Sequence, residues 1–405
     1  MEGFRAIAAT GVLVGHVRAH MAPDFSWGAG APIIGLLLNG LTLFFSLSGF
    51  LLFRPFAFAL VTGSGFPRIG RYAGNRALRI FPVYIVITAL VSLVLGLAYR
   101  TPYLETTREA ADLVGYMWDP ALLLLNFSML QTFFPFSIKT GIGVAWSLSV
   151  ELVFYVAMPL LAAGAMYLRR RKRLGGVLSA LIPVAAIFAI GLGGKVVRHL
   201  VFRELPMGNE FVNAWGGTWT AVLARAFPVH ADLFAFGMLA AAVVAVFEAE
   251  RLPQQRAALI RKLALLVALL AAVASIYGPV AFRSTLMAVV FGGVILFVAL
   301  PARTGRAGVT AALLDALPLR FVGLVSYSLY LWHVPVIWMV VRLGWAGPAT
   351  PAGFVWDVAV VFSIALALST CTYFAIERPA LALKRLTGRR KPQTDLQLPP
   401  ANGVR

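Results

Sequence analysis

The chain has little charge and almost no cysteine. Of its 405 residues only 13% are Asp, Glu, Lys or Arg, and a single cysteine, Cys371, stands inside an apolar run. One cysteine excludes a disulfide framework and a cysteine-based metal site, and it leaves a single thiol for any thioester formed on the protein. Acidic residues are scarcer than basic ones: 16 Asp and Glu against 35 Lys and Arg give a net charge of +19. That excess does not read as nucleic-acid binding, because the basic residues are not gathered on a soluble face but lie in short loops between apolar runs. The first apolar run begins almost at Met1, with no charged n-region and no small-residue cleavage site, so it reads as a retained anchor. No internal repeat of the kind many secondary transporters carry is visible.

What is present is hydrophobicity. Apolar side chains make up 60% of the chain and the mean hydropathy is +0.84, which places it outside the soluble globular class. The expectation is an all-α integral membrane protein, since backbone polar groups in hydrocarbon are satisfied by helices. Apolar stretches near bilayer length, roughly 17 to 25 residues, fall near 4–22, 31–62, 79–98, 119–136, 145–168, 176–194, 230–248, 262–281, 284–300, 322–342 and 353–376.

Five basic clusters set the sidedness, because short loops rich in Lys and Arg stay cytoplasmic. They are Arg68 to Arg79, Arg169 to Arg173, Arg251 to Lys262, Arg303 with Arg306, and Lys384 to Lys391. If all are on one side, an even number of spans separates each neighbouring pair. Only the interval from Arg79 to Arg169 breaks the rule, with three apolar runs. Its weakest run, 119–136, opens on Asp119-Pro120, carries Asn126 and Gln131 and ends in FFPF; it reads as a re-entrant or interfacial piece. The expectation is therefore about ten transmembrane helices with both termini cytoplasmic: a membrane domain over residues 1–385 and a disordered tail over 386–405.

Ionisable groups occur at depth in these runs. Arg5 and His16 are eleven residues apart, about three helical turns, so they share one face, roughly 16 Å apart along the axis. Arg5 falls at the cytoplasmic mouth and His16 near mid-membrane. The same counting puts His333 at nearly the depth of His16 and Glu151 somewhat above, with Tyr155 one turn below Glu151. The mouth collects Arg5, Arg54, Arg76, Arg79 and Glu377. Intramembrane ionisable groups usually face a bundle interior or a water-filled path, and a basic mouth leading to a buried histidine suits a polyanionic substrate with a reactive end. His20, His199 and His230 are placed at or near the outer face, too scattered for a metal site.

Six stretches in order resemble the bacterial acyltransferase-3 family: EGFRAIAATGVLVGH with Arg5 and His16, LFFSLSGFLLFRPF around Ser48 and Gly49, NRALRIFPVY with Arg76 and Arg79, AWSLSVELVFYVAMPLL with Glu151, FVGLVSYSLYLWHVPVI with His333, and TYFAIERPALALKR with Glu377. The resemblance runs from Glu2 to about Arg385. It implies ten spans, a cytoplasmic N-terminus, location in a bacterial cytoplasmic membrane, and transfer of an acyl group, often acetyl, from acyl-CoA to a hydroxyl of a carbohydrate, glycolipid, envelope glycan or macrolide sugar. Some members carry an extracytoplasmic hydrolase-like domain; nothing in these residues reads as one, so a stand-alone member is expected.

O-acylation needs a base for the acceptor hydroxyl and stabilisation of an oxyanion. His16 is assigned as that base, and Glu151 as the group that orients it or binds the acceptor, with Tyr155 as the other possibility for orienting it. Arg5, Arg76 and Arg79 are assigned to the CoA phosphates, although Arg76 and Arg79 also serve topology. Ser48, Tyr155, Tyr330, His333 and Glu377 are assigned to lining the site. Ser48-Gly49 reads mainly as a close-packing spot, and Arg54 as a side chain snorkelling to the headgroups. No tightly bound cofactor and no metal are expected. The expected partners are acyl-CoA as co-substrate, the acceptor and membrane lipid, and no nucleic acid. The rival reading is a transporter or flippase with a proton-coupled polar path through the same residues.

Overall fold

A computed structural model describes residues 1–22, 35, 38–101, 113–205, 210–249, 253, 255–300 and 309–388. The helices, in chain order, are α1 (Glu2–Met21), α2 (Gly40–Thr62), α3 (Ile69–Ala89), α4 (Pro120–Phe127), α5 (Trp146–Lys172), α6 (Gly176–Arg203), α7 (Glu210–Trp215), α8 (Trp219–Ala224), α9 (Phe227–His230), α10 (Asp232–Glu248), α11 (Gln255–Tyr277), α12 (Arg283–Ala299), α13 (Val309–Leu314), α14 (Leu317–Leu324), α15 (Ser326–Arg342), α16 (Pro351–Thr372) and α17 (Arg378–Gly388). Two π-helical turns, Leu90–Val94 and Tyr373–Glu377, extend α3 and join α16 to α17. Among the described residues the only sheet is one antiparallel pair, Ala98–Tyr99 with Val114–Gly115.

The protein is all-α and membrane-spanning. Among the described residues seven helical segments, 40–62, 69–94, 143–172, 176–203, 255–277, 280–299 and 351–383, are long and apolar enough to cross a bilayer. The bent pair α14 and α15, which meet at 72°, reaches that length and apolarity only when the two are taken together. The expected ten would also need α1, which carries Arg5, His16, Arg18 and His20, and α10, which at 17 residues is short. Each of these two packs deep in the bundle: α1 against α2, α14, α15 and α16, and α10 against α2, α6 and α12.

The segment 119–136 does not cross. Asp119 accepts hydrogen bonds from the backbone N–H groups of Ala121 (2.8 Å) and Leu122 (3.2 Å), Pro120 occupies the first helical position, and α4 ends after eight residues, about 12 Å of rise. Met129 then takes a left-handed conformation, φ 60°, and its carbonyl accepts from the Ser149 hydroxyl at 2.7 Å. Asn126, which is buried, donates to the Leu122 carbonyl and to Thr140, both at 2.9 Å. Gly141, φ 72°, sits where a Cβ would come within 2.0 Å of the Asn126 side-chain oxygen. The polar residues that weakened this run as a span are the ones that fold it back against the bundle.

Close helix contact positions the site. A Cβ on Gly49 in α2 would lie 2.2 Å from the Phe234 carbonyl oxygen, and one on Gly237 in α10 would lie 1.8 Å from that of Ser46. Small residues of this kind let membrane helices approach backbone to backbone. With α2 pinned to α10, Ser48 is turned towards α5, where its hydroxyl donates to Glu151. α17 runs from Arg378 to Gly388, across the expected boundary at 385; the expected tail from 389 to 405 lies outside the described residues.

Candidate active site

A cavity of about 340 Å³ opens among α1, α2, α3, α5 and α15. Arg5, Ser48, Arg76, Arg79, Glu151, Tyr155 and Tyr330 line it, together with Ser147, Ser326 and Tyr327. Seven of the ten residues assigned from sequence thus meet at one space, although they come from segments up to 325 positions apart. Helical spacing explains the local part of this. Arg76 and Arg79 are three residues apart on α3, and Glu151 and Tyr155 four apart on α5, so each pair shares a face. The bend before Ser326 explains another part, because it brings the Ser326 hydroxyl to Arg5, whose Nε donates to it at 3.2 Å.

His16 and His333 stand beside this space rather than in its wall. The His333 Nε2 lies 3.3 Å from the His16 Nδ1, and the rings meet edge-on with centroids 4.9 Å apart. Tyr330 connects the pair to the cavity: its ring centre is 5.5 Å from that of His333, and its hydroxyl is hydrogen-bonded with Ser147 at 2.6 Å and donates to the Val144 carbonyl at 2.9 Å. His333 is 1% exposed, whereas His16 is half-buried. The Nδ1 of His16 lies 2.9 Å from the Val12 carbonyl. A carbonyl only accepts, so a proton on that nitrogen is the arrangement that avoids two facing lone pairs. The depth count that placed His16 level with His333 is matched by their contact.

Glu377, 1% exposed, ends the second π-helical turn and accepts from the Ser328 hydroxyl at 3.3 Å. It therefore sits behind the cavity wall. Arg54 is separate from the site and is ion-paired with Glu248 at the end of the bundle. No group of three or more His, Cys, Asp or Glu side chains suited to a metal occurs among the described residues.

Residues 1–374 match the acyltransferase domain family. The chain belongs to the acyltransferase-3 family. Among curated proteins it is similar to the candidate peptidoglycan O-acetyltransferase YrhL of Bacillus subtilis, 24% identical over 94% of this chain and 54% of that one. It is also similar to the peptidoglycan O-acetyltransferase OatA of Listeria monocytogenes, 24% identical over 83% of this chain and 49% of that one. The chain spans about half the length of these relatives. No solved structure matches it significantly.

Two clusters in this acyltransferase-3 chain escaped the sequence reading. The first is a buried ionic knot of α6, α10 and α12: Lys195 donates to Asp232 and to Thr285, each at 2.5 Å, and Thr285 donates to Asp232 at 2.6 Å. Lys195 stands just past the apolar run that ends near 194, yet α6 continues to Arg203. The second lies at the end of the bundle opposite the arginines of the cavity. There the Arg225 guanidinium sits over the rings of Trp215, 3.2 Å from its centre, and Trp146, 5.6 Å away, and Lys139 sits over Trp215 at 5.5 Å and Tyr99 at 4.9 Å. Burial first, then the neighbouring Arg198, lowers Arg225 to about 9; burial first, then Arg225, lowers Lys139 to about 8. A desolvated cation–π contact offsets about 2 kcal/mol, less than the several kcal/mol that burying a charge costs. Only their clustering in space reveals these residues, which are scattered over 99–225.

Proposed function

We propose that the chain is a membrane-embedded O-acyltransferase that moves an acyl group, taken as acetyl, from acyl-CoA to a hydroxyl of a carbohydrate-containing acceptor. The observation that carries the reading is one cavity holding three arginines at its mouth and opening beside a histidine pair. Arg5, Arg76 and Arg79 supply planar, permanently charged forks suited to the phosphates of CoA. The pantetheine arm then runs past Ser48 and Glu151 and brings the thioester to the level of Tyr330 and His16. The names of the two relatives support an O-acetyl transfer to a glycan.

His16 is the general base. With its Nδ1 proton held by the Val12 carbonyl, its Nε2 carries the lone pair that takes the acceptor's hydroxyl proton. The alkoxide oxygen attacks the thioester carbon, the tetrahedral oxyanion collapses, and the thiolate of CoA leaves with the proton returned by His16. His333, fully buried behind His16, positions the ring and spreads the imidazolium charge. The Tyr330 hydroxyl lines the cavity on the residue that packs against His333 and is assigned to the oxyanion, for which it would give up its bond to the Val144 carbonyl. Glu151, which accepts from Ser48, is the counter-charge of the cavity and steadies the positive histidine.

The chain is placed in a bacterial cytoplasmic membrane, crossing it ten times with α1 and α10 included, and with both termini and the arginine mouth in the cytoplasm. The test is purified protein with acetyl-CoA and a glycan acceptor. Transfer, or slow release of free CoA without an acceptor, is expected. Neither would occur in a transporter or flippase, and their absence in correctly inserted protein would remove the enzyme reading.

A further inference from the structure

The cation–aromatic cluster at the end opposite the arginine mouth has no part in holding CoA. Arg225 is 7% exposed and its Nε has no hydrogen-bond partner. The three ion pairs among the described residues do not include it. Lys139, Trp146, Trp215 and His230 around it are only partly buried. A second strand of geometry joins this site to the reacting histidines. The Tyr99 ring under Lys139 meets Trp338 with centroids 5.9 Å apart, Trp338 meets His20 at 5.1 Å, and His20 stacks on His16 at 6.0 Å. On another side Trp146 meets His230 at 5.1 Å, and His230 meets Phe45, which lines the cavity, at 6.3 Å.

We infer that Arg225, with Lys139 beside it and Trp215 and Trp146 as its bed, is the binding site for the acidic group of an acceptor saccharide, which enters from the face opposite acyl-CoA. The inference rests on the acyltransferase reading for the word acceptor, but the site itself is a matter of binding. Arg225 is buried beside other cations, and stacked on tryptophan its guanidinium meets no anion among the described residues; a carboxylate on a sugar supplies one in bidentate form. Partly open aromatic surfaces suit the ring of the same sugar.

The test uses the full-length protein in phosphatidylcholine nanodiscs, with intrinsic tryptophan fluorescence and calorimetry as readouts and two probes, cellobiouronic acid and neutral cellobiose. The acidic disaccharide should bind tighter by on the order of ten- to a hundredfold, the usual worth of one charge-assisted hydrogen bond. The preference should shrink as sodium chloride is raised. Arg225→Gln should abolish it and Arg225→Lys should retain part of it. Equal affinity for the two sugars in the wild type, or an undiminished preference in Arg225→Gln, overturns the site. So does a signal that responds to phosphatidylglycerol in the disc and not to the acidic sugar, which would make the anion a lipid headgroup. If Arg225→Gln does not fold, the wild-type comparison and its salt dependence still decide. A protein that binds the acidic sugar through Arg225 but transfers no acyl group would sink the enzyme reading and leave the site standing; the converse result would do the reverse.

Discussion

At the scale of single residues, Arg5 and His16 of α1 lie at different points of the site and should fail differently. Arg5 lines the cavity and donates to Ser326, while His16 sits beside the cavity on His333. His16→Ala should leave acyl-CoA binding nearly intact and cut turnover by on the order of 10² to 10⁴, the usual contribution of a general base. Calorimetric affinity beside a single-turnover rate checks both halves; near wild-type turnover would move the assignment to His333 or Glu151. Arg79→Ala should raise the apparent KM for acyl-CoA about ten- to a hundredfold, since a charge-assisted phosphate contact contributes about 1.5 to 3 kcal/mol. Arg79→Lys should not fully restore it, because a point charge cannot reproduce the planar fork.

Lys139 gives a prediction in pH. Its ammonium is lowered from the ordinary 10.5 to about 8 by burial and then by Arg225. Between those values the unfolded chain binds more protons than the folded one, so stability rises with pH across that window. The burial penalty is present in full below about pH 8 and is relieved above about 10.5. Thermal unfolding in detergent at pH 7.5 and pH 10 should show this increment in the wild type and a smaller one in Lys139→Met. An equal increment in both proteins would assign the rise to other groups.

At the scale of elements, the bundle depends on a few places where helices touch backbone to backbone or through buried charge. Gly237→Ala would set a Cβ against the Ser46 carbonyl of α2, an overpacking expected to cost about 1–3 kcal/mol. Because Ser48 and its bond to Glu151 ride on the same helix, activity should fall together with unfolding temperature. Asp232→Ala would leave Lys195 and Thr285 without their shared acceptor, and breaking such a pair costs about 3–5 kcal/mol. Asp232→Asn, which keeps an acceptor oxygen, should cost less; equal unfolding temperatures for the two variants would show that the lost charge, common to both, and not the acceptor oxygen is what matters.

At the scale of the whole molecule, the predicted topology places the two sites on opposite faces. On a Cys371→Ala background, Gly70→Cys, Arg170→Cys, Gln255→Cys and Gly388→Cys should label from one side of the membrane, and Tyr116→Cys and Trp219→Cys from the other. If Tyr116→Cys labelled together with Arg170→Cys, the 119–136 segment would have to cross and the parity argument would fail. The same experiment tests the inclusion of α10, which lies between positions 219 and 255, among the crossings.

Fold class, the non-crossing segment and most of the polar residues of the cavity wall were legible in the sequence, because hydrophobic length, basic loops and helical spacing are local properties. A pair such as Arg76 and Arg79 shares a face by the pitch of the helix alone, and the depths of His16 and His333 follow from residue counts along two helices. Which faces meet is not local. Nothing in the runs themselves says that Ser48, not His16, contacts Glu151, since that depends on Gly49 and Gly237 drawing α2 onto α10. Glu377 sits behind the wall because a π-helical turn shifts it, and the bend before Ser326 brings that serine to Arg5. Lys195, Arg225 and Lys139 looked like loop charges because hydropathy registers where apolar residues stop, while burial depends on what the folded chain lays over them. The sequence by itself determined which segments enter the membrane and which polar groups they carry; the tertiary structure decided which of those groups share a space, because close packing brings together side chains that helical periodicity can only orient.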